Sequence, residues 1–240
     1  MKILALIPHY NHAGTVGRVA AAMREQGLDV LIVDDGSHAD CRSVLDALAR
    51  QPGVAVHYRP QNGGKGAAVK SGLDYAQEHG YTHVLQVDAD AQHHLPDAAK
   101  LIEQSNAKPQ SVVCGWPQYG EDAPKSRLYG RKITDFWNMV NTGGFAIKDS
   151  MCGFRLYPVA TVQDVVKQEC LGDRMDFDTE ILVHLCWRGA EMVWVKTPVQ
   201  YAAGGVSHFN AWHDNVRISK MHARLFFGML ARRLSGRWRR

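Results

Sequence analysis

The sequence predicts an α/β fold: an open, mostly parallel β-sheet with helices on both faces. Through the first half of the chain, short apolar runs alternate with segments of helical periodicity, as expected when crossover helices join parallel strands. Clusters of polar residues directly follow three of the predicted strands. The length of 240 residues, with 45% hydrophobic and 22% charged residues, suits a globular domain with a buried core and excludes a disordered or fibrous chain.

The individual elements follow from periodicity, and the first half is the more regular. Runs rich in Ile, Leu and Val predict buried strands, and apolar residues spaced by three and four positions predict helices. Strands are predicted at residues 3–7, 30–33, 54–58 and 82–87, with helices at 15–26, 42–50 and 66–79. In the second half, strands are predicted at 112–114 and 192–196, and helices at 125–140 and 177–187.

We expect one domain over residues 1–215 and a basic amphipathic helix over residues 216–240, because no linker, repeat or low-complexity tract divides the chain. The net charge is +4, yet the last 24 residues hold eight Lys and Arg and no Asp or Glu, so the rest of the chain is net acidic. A basic amphipathic helix suits the surface of an anionic bilayer. The same pattern would also suit a helix packed on its own domain or on a second subunit, but we favour the membrane surface as the partner of this helix.

Several classes of protein are disfavoured. Five cysteines without a CxxC pair argue against a disulfide framework or a cysteine zinc site, and favour a reducing, cytoplasmic compartment. No apolar run approaches the roughly 20 residues that a bilayer core requires, and the N-terminal run is too short for a signal peptide. The basic tail suits nucleic acid as well, but the acidic body and the lack of a recognition motif argue against a nucleic-acid-binding protein.

An acidic segment follows the strand predicted at 82–87. Asp88 and Asp90 alternate along the chain, and Gln92 adds an amide oxygen. Hard oxygen ligands of this kind suit Mg²⁺ or Mn²⁺ completed by phosphate oxygens and water. Acidic residues are also common in turns and helix caps, which leaves the pattern weak when it is taken alone.

A glycine-rich segment, NGGKG at 62–66, precedes the helix predicted at 66–79. Its backbone N–H groups and Lys65 favour an anionic group, although a plain loop and helix start would read the same way. Gly66 stands where a P-loop needs Ser or Thr, and no GxGxxG follows the first strand. A dinucleotide-binding fold and a sugar nucleotidyltransferase therefore lack their phosphate-binding loops.

The motifs taken together resemble the family-2 glycosyltransferases with the GT-A fold. In order, they are PHYN (8–11), VDDGS (33–37), NGGKG (62–66) and DADAQHHLP (88–96). The second half resembles the branch similar to dolichol-phosphate mannosyltransferases, which loads a sugar onto a polyprenyl phosphate; its motifs are SRLYGR (126–131), DSMCGFR (149–155) and FDTE (177–180). The resemblance covers residues 3 to about 210.

The resemblance implies an inverting glycosyltransferase with a nucleotide-sugar donor and a Mg²⁺ or Mn²⁺ cofactor. The residues that we expect to bind the donor are Pro8, Tyr10, Asn11, Asp35, Lys65, Asp88, Ala89, Asp90 and Arg127. The expected metal ligands are Asp88, Asp90 and Gln92. The expected catalytic residues are Asp90, Asp149, Arg131 and Arg155, the two arginines facing phosphate groups of the donor or acceptor. A metal and arginines would neutralise the charge that develops on the departing nucleoside diphosphate.

The expected reaction is a single displacement at the anomeric carbon. A lipid-linked phosphate acceptor at the cytoplasmic face of the membrane is already anionic and needs no general base. A hydroxyl acceptor would need one, for which Asp149 is the candidate, with Asp178 and Glu180 behind it. His208 is a loop residue that could reach the metal or the acceptor phosphate, or could make only a structural hydrogen bond.

Some questions stay open at this level. A catalytically inactive, membrane-docked scaffold is disfavoured by the intact set of Asp and Arg residues. The donor base (UDP or GDP), the sugar, the acceptor and the oligomeric state depend on shapes that a single sequence does not specify.

Overall fold

A computed structural model describes residues 1–120, 125–199 and 211–236, apart from the side chains of residues 125–127 and 211–212. Its strands are β1 Ile3–His9, β2 Asp29–Asp34, β3 Val54–Tyr58, β4 His83–Gln86, β5 Val112–Tyr119, β6 Arg155–Pro158 and β7 Met192–Val199. Its α-helices are α1 Ala13–Glu25, α2 Arg42–Ala49, α3 Lys65–Glu78, α4 Ala98–Ala107, α5 Lys125–Thr142, α6 Val159–Gln168, α7 Phe177–Trp187 and α8 Ala211–Leu234.

The described strands form one sheet in the order β3-β2-β1-β4-β6-β5-β7. The first four are parallel to one another, as crossover helices require. Strand β6 runs antiparallel to β4 and to β5, and β7 is parallel to β5. This mixed, mostly parallel sheet confirms the predicted fold class.

Helices cover both faces of the sheet and enclose two cores. Successive residues of a strand point to opposite faces, so Leu4 and Leu6 of β1 enter one core while Ala5 and Ile7 enter the other. All four side chains are 0 or 1% exposed. Near-continuous burial on both faces explains why β1 and β2 read as unbroken apolar runs in the sequence.

The second half differs from the predicted element list. Strand β6 and helices α4 and α6 were not predicted, and β5 continues beyond its predicted end to Tyr119. Strand β6 is four residues long and opens with a charged residue, Arg155, which hides it from any search for apolar runs. Because β6 is antiparallel to both of its neighbours, it separates the parallel half of the sheet from the β5–β7 pair.

Helix α8 packs on the domain from which it emerges. Met221, Leu225 and Met229 are buried in one of the two cores. Two of its arginines form ion pairs with the body, Arg224 with Glu180 at 2.6 Å and Arg232 with Glu169 at 2.9 Å. The main apolar stripe of the predicted basic helix therefore faces the protein. Among the described helices, none has both the length and the apolar character that a bilayer-crossing segment requires.

Candidate active site

The polar clusters after β1, β2 and β4 meet at one edge of the sheet. Strand pairing sets His9 beside Asp34, and the backbone N–H of Asn11 donates to Ser37 Oγ at 2.9 Å. Thr15 Oγ1 at the start of α1 donates to the carbonyl oxygen of Ala89 at 2.6 Å. The three clusters therefore form a single site beyond the carboxyl ends of the strands, where ligands bind in open α/β sheets.

A buried network supports the loops after β1 and β2. His9 Nδ1 lies 2.9 Å from Asp34 Oδ1, and Ser37 Oγ donates to the same oxygen at 2.5 Å. Burial disfavours the carboxylate, but the hydrogen bonds from His9 and Ser37 outweigh it and hold the pKa of Asp34 below its usual value. Sequence reasoning named Pro8, Tyr10 and Asn11 here and missed His9, which is 1% exposed and shapes the loop from inside.

Asp35, an expected donor-binding residue, binds the backbone of the glycine-rich segment. Its two carboxylate oxygens accept from the backbone N–H groups of Gly63, at 3.0 Å, and Gly64, at 2.7 Å, and its Oδ1 also pairs with Arg59. Two of the amides that the sequence offered to an anionic ligand are thus bound to an internal carboxylate. Asp35 thus fixes the conformation of the glycine-rich segment. The charged group that this segment presents to the site is the ammonium of Lys65.

The glycines of this segment permit a close approach of the loop before α7. Gly64 has a φ of +106°, which L-residues rarely adopt, and a Cβ at Gly66 would lie 2.5 Å from the Cβ of Phe177. The backbone N–H of Ala67 donates to the carbonyl oxygen of Asp173 at 2.9 Å. Helix α3 and the start of α7 are therefore joined tightly at the site.

Lys65 lies at the centre of the site, between two carboxylates. Its Nζ is 2.6 Å from Asp88 Oδ1 and 2.7 Å from Asp178 Oδ2, and Asp178 Oδ1 also accepts from Gln86 at 3.1 Å. Burial opposes the charge of Lys65, yet the two carboxylates outweigh it and raise the pKa of the ammonium. A Cβ at Gly153 would lie 2.5 Å from this Nζ, so the glycine lets the backbone close over the pair. Sequence reasoning had kept Asp178 only as a reserve base.

The acidic segment turns sharply after β4. Asp90 Oδ1 accepts from the backbone N–H of Gln92 at 3.1 Å, and Ala91 between them has a φ of +57°. Such a backbone costs an L-residue roughly 1–2 kcal/mol, and strain of this kind gathers at functional sites. Asp88 has His93 Nε2 at 3.4 Å in addition to Lys65; burial acts against its charge, but Lys65 and His93 lower its pKa.

The residues of this segment fit a divalent cation by their chemistry. Within the described part of the chain, no group of three or more His, Cys, Asp or Glu side chains is arranged to hold a metal. Mg²⁺ is usually held in proteins by one or two carboxylates together with substrate phosphates and water, so it needs no such group. Asp88, Asp90 and the amide of Gln92 supply hard oxygen donors of that kind on five consecutive residues.

Arg155 does not face the cleft, contrary to the expectation that it meets a phosphate. The side chain is fully buried, and its guanidinium donates to the carbonyl oxygens of Ser150 and Asp178, both at 2.6 Å, and to the hydroxyl of Tyr157 at 3.1 Å. Its position as the first residue of β6 points it into the core. Arg155 therefore ties the loop before β6 to the start of α7, behind the site.

Asp149, the candidate general base, is already occupied by donors. Its Oδ1 accepts from the backbone N–H groups of Met151, at 2.9 Å, and Cys152, at 2.7 Å, and its Oδ2 pairs with Arg131. The guanidinium of Arg131 also lies over the ring of Tyr119, 4.9 Å from its centroid. Two expected site residues, the side chain of Arg127 and the whole of His208, lie outside the described residues.

A cavity of about 450 Å³ opens between β5 and α5, with Asp149 in its wall. Its lining combines cations and aromatic rings: Trp116, Pro117, Tyr119, Leu128, Tyr129, Arg131, Lys132, Asp135, Lys148 and Asp149. Lys148 Nζ lies 4.4 Å from the ring centroid of Trp116. Burial and the neighbouring charge of Asp149 raise the pKa of Asp135 to about 6, although Arg131 opposes the shift. Of these residues, sequence reasoning had named only Arg131 and Asp149 as site residues; apart from Leu128 and Tyr129, the others belong to no motif.

The mixed, mostly parallel sheet with a polar site at its edge defines the class of fold, and comparison with known proteins gives the family. The sequence profile described as "Glycosyl transferase family 2" matches residues 5–164. The chain belongs to this family and is a glycosyltransferase, which confirms the resemblance drawn from its motifs.

Similar proteins support the polyprenyl-phosphate branch. The undecaprenyl-phosphate mannosyltransferase of Micrococcus luteus is 28% identical over 195 residues, which cover 73% of this chain and 76% of that protein. The UDP-N-acetylglucosamine–dolichyl-phosphate N-acetylglucosaminyltransferase of Methanococcus voltae is 25% identical over 200 residues, covering 75% of this chain and 78% of that protein. These relatives agree with the branch that the motifs of the second half resemble.

The solved structures show the GT-A fold. Glucosyl-3-phosphoglycerate synthase from Mycobacterium tuberculosis, crystallised with Mn²⁺ and UDP-glucose, superposes with a TM-score of 0.69 at 15% identity. The match covers 96% of this chain and 78% of that one. At this identity the likeness establishes the architecture alone.

Proposed function

We propose that this enzyme transfers a sugar from a nucleoside-diphosphate sugar to the phosphate of a polyprenyl-type lipid at a membrane surface. The observation that carries the proposal is one short segment, residues 149–153, which connects a cavity suited to a phosphate with a site suited to a diphosphate. At one end, Asp149 lies in the wall of the cationic cavity. At the other end, Gly153 packs against Asp88 and Lys65. A phosphate acceptor in the cavity would thus lie beside a diphosphate donor at the sheet edge.

On the donor side, the loops after β1 and β2 would receive the nucleoside, with Pro8, Tyr10 and Asn11 in their lining. Lys65 pairs with Asp88 of the acidic segment and suits the donor diphosphate. Asp88, Asp90 and Gln92 would hold Mg²⁺ or Mn²⁺, which when bound neutralises charge on the departing diphosphate. Lys65 would share that task, because an ammonium positioned in advance stabilises developing charge without reorganisation.

On the acceptor side, the cavity suits a phosphate monoester. Arg131, Lys132 and Lys148 supply three cations around it. A phosphate oxygen is anionic at neutral pH and can attack the anomeric carbon without a general base. This fits the arrangement of Asp149, whose carboxylate accepts three donors and orients Arg131.

Apolar side chains left in solvent by α5 and α8 support docking on a membrane. Tyr129, Ile133 and Phe136 follow one face of α5 and are 55–67% exposed, and Phe227 on the neighbouring α8 is 68% exposed. The helices pack together through Trp137 and Phe226, whose ring centroids are 6.2 Å apart. Apolar surface flanked by basic residues suits an anionic bilayer. The contact would involve α5 as well as α8, since the main stripe of α8 is buried.

A hydroxyl acceptor is the second candidate, and Asp135 is the observation that favours it. A hydroxyl must lose a proton during transfer, and a carboxylate with a pKa of about 6 in the acceptor cavity is suited to accept one at neutral pH. In that case, Asp135→Asn would abolish transfer, whereas a lipid phosphate needs no such base.

The first test is calorimetric titration with UDP and with GDP, each with and without Mn²⁺. Wild type should bind one of them in a metal-dependent manner, and Asp90→Ala should lose that binding. Glu103→Gln, an exposed site on α4, is the matched control. Transfer of labelled sugar to undecaprenyl phosphate, but not to undecaprenol, in vesicles would then establish the acceptor. If neither nucleotide binds under any condition, the proposal is wrong.

A further inference from the structure

Asp135 is an acidic residue in a cavity that otherwise suits an anion. It lies one turn beyond Arg131 on α5, and Lys132 of the same helix also faces the cavity. Lys148 and Asp149 enter from the loop before β6, and Trp116 and Tyr119 from β5. Asp135 is half-buried.

The two carboxylates of the cavity differ in their partners. Asp149 accepts two backbone N–H groups and pairs with Arg131, so its charge is compensated. Within the described part of the chain, no donor forms a hydrogen bond with the carboxylate of Asp135. Burial and the adjacent negative charge of Asp149 raise the pKa of Asp135 to about 6, while Arg131 partly opposes them. Asp135 is thus the cavity carboxylate that most readily accepts a proton.

The net charge of the cavity depends on whether Asp135 is protonated. Arg131, Lys132 and Lys148 bring three positive charges, and Asp149 cancels one of them. With Asp135 ionised, these described lining residues sum to a charge of +1; with Asp135 protonated, they sum to +2. The second value matches a phosphate dianion, and the neutral carboxyl gains an O–H that can donate to a phosphate oxygen.

We propose that a phosphate group enters this cavity together with one proton, which is taken from solvent and held on Asp135. The inference rests on the proposed function, because it assigns the cavity to the acceptor. During transfer, the bond from the anomeric carbon to the acceptor oxygen forms as the bond to the donor diphosphate breaks, and the diphosphate leaves with the electron pair. The acceptor phosphate changes from a dianion to a diester with one charge. Asp135 then returns its proton to solvent, and its restored charge favours release of the product.

Inorganic sulfate is the probe of choice, since it stays a dianion between pH 6 and 8.5 and any proton taken up must bind to the protein. Calorimetric titrations in HEPES and in Tris, which differ in ionisation enthalpy, count the protons. Wild type should take up close to one proton per sulfate at pH 7.5, and its affinity should fall up to tenfold per pH unit above pH 6. Asp135→Asn should bind sulfate at pH 8 at least as tightly as wild type does at pH 6, with no proton uptake. Glu103→Gln should behave like wild type.

A second experiment identifies the source of the phosphate. It compares the binding of farnesyl phosphate in detergent micelles with the binding of inorganic phosphate. Binding of farnesyl phosphate tenfold tighter than inorganic phosphate assigns a lipid acceptor, and equal binding assigns a soluble one; either result, with the proton uptake, supports the role of Asp135. Sulfate binding that is independent of pH, or proton uptake that persists in Asp135→Asn, overturns the inference, as does a lack of sulfate binding at pH 6. The nucleotide titrations are unaffected by these failures, so they report on the proposed function separately.

Discussion

The proposed donor side of the site, formed by the ends of β1, β2 and β4 with Lys65, differs from the proposed acceptor side, formed by the cavity between β5 and α5. On the donor side, polar side chains are engaged with one another: Asp34 with His9, and Lys65 with Asp88 and Asp178. On the acceptor side, cations outnumber carboxylates and Asp135 has no described donor. On the donor side, the charged side chains are therefore paired with one another. On the acceptor side, the excess of cations can bind an anionic ligand.

The largest effect should follow from breaking the donor side at Lys65. Lys65→Met would remove the ammonium between Asp88 and Asp178, leaving Asp178 with Arg155 at 3.8 Å and Asp88 with His93 at 3.4 Å. Loss of one partner of a buried ion pair costs about 3–5 kcal/mol. Urea denaturation at pH 7.5 measures the free energy of unfolding. Lys70→Met is the matched control on the same helix, because its partner Asp173 is 63% exposed and surface pairs contribute under about 1 kcal/mol. Equal losses in both variants would show that Lys65 is not central to the donor side.

A smaller effect should appear on acidification, and His222 should contribute to it. His222, stacked on Trp137 between α8 and α5, is 5% exposed; burial lowers its pKa to about 4. Because the folded-state pKa lies below the unfolded value of 6.5, the unfolded chain binds the extra proton. Stability from His222 is therefore complete above pH 6.5 and is lost as the pH falls toward 4, by ~2 kcal/mol at pH 5. Asp34, whose pKa is lowered, loses its contribution only below its unfolded value of 3.8.

Urea denaturation at pH 7.5 and pH 5 measures this difference. Neither ring nitrogen of His222 has a hydrogen-bond partner within the described residues, so His222→Phe should keep the stacking. The variant should lose the contribution of His222 to the pH dependence and keep the part that comes from His184 and His83, whose pKa values burial also lowers. His57→Phe, at an exposed position on β3, should retain the wild-type dependence. A His222→Phe protein that loses stability between pH 7.5 and 5 as steeply as wild type would refute this account.

The smallest effect concerns the surface rather than the fold. Ile133→Ser combined with Phe136→Ser should weaken binding to vesicles with 30% anionic lipid by about tenfold or more, because two large apolar side chains no longer enter the bilayer. The free energy of unfolding of this double variant should change little, since Ile133 and Phe136 are both more than half exposed. Met175→Ser removes an exposed apolar side chain from the loop before α7 on the donor side and should leave vesicle binding intact. A sedimentation assay in which all three proteins bind equally would place the membrane contact elsewhere.

The donor side was the more predictable from sequence, for a physical reason. Its residues lie in short motifs at the ends of apolar strands, and parallel strands must bring their carboxyl ends to the same edge. The position of a residue in the sequence did not predict its hydrogen-bond partners, however. Asp35 accepts from Gly63 and Gly64, which its motif did not indicate, and its contact with the nucleotide stays a prediction. Arg155 was predicted to meet phosphate, yet it is buried behind the site.

The acceptor side was largely hidden because its residues are distant in the chain. Trp116, Lys132, Asp135 and Lys148 come from β5, α5 and the loop before β6, and no spacing rule connects them. The direction of α8 was likewise ambiguous, since an apolar stripe serves a protein core and a bilayer equally well. The predicted boundary at residue 215, between the single domain and its C-terminal helix, stays a prediction; helix α8 begins at Ala211 and packs on the body.

By itself, the sequence determined the α/β class, the family and the edge of the sheet where the polar motifs meet, because periodicity and local motifs encode strands, helices and their ends. Only the tertiary structure decided which charges are compensated and which remain available. Lys65 is held between Asp88 and Asp178, while Asp135 has a raised pKa beside Asp149. Such differences arise from burial and from contacts between distant segments, and those depend on how the chain packs.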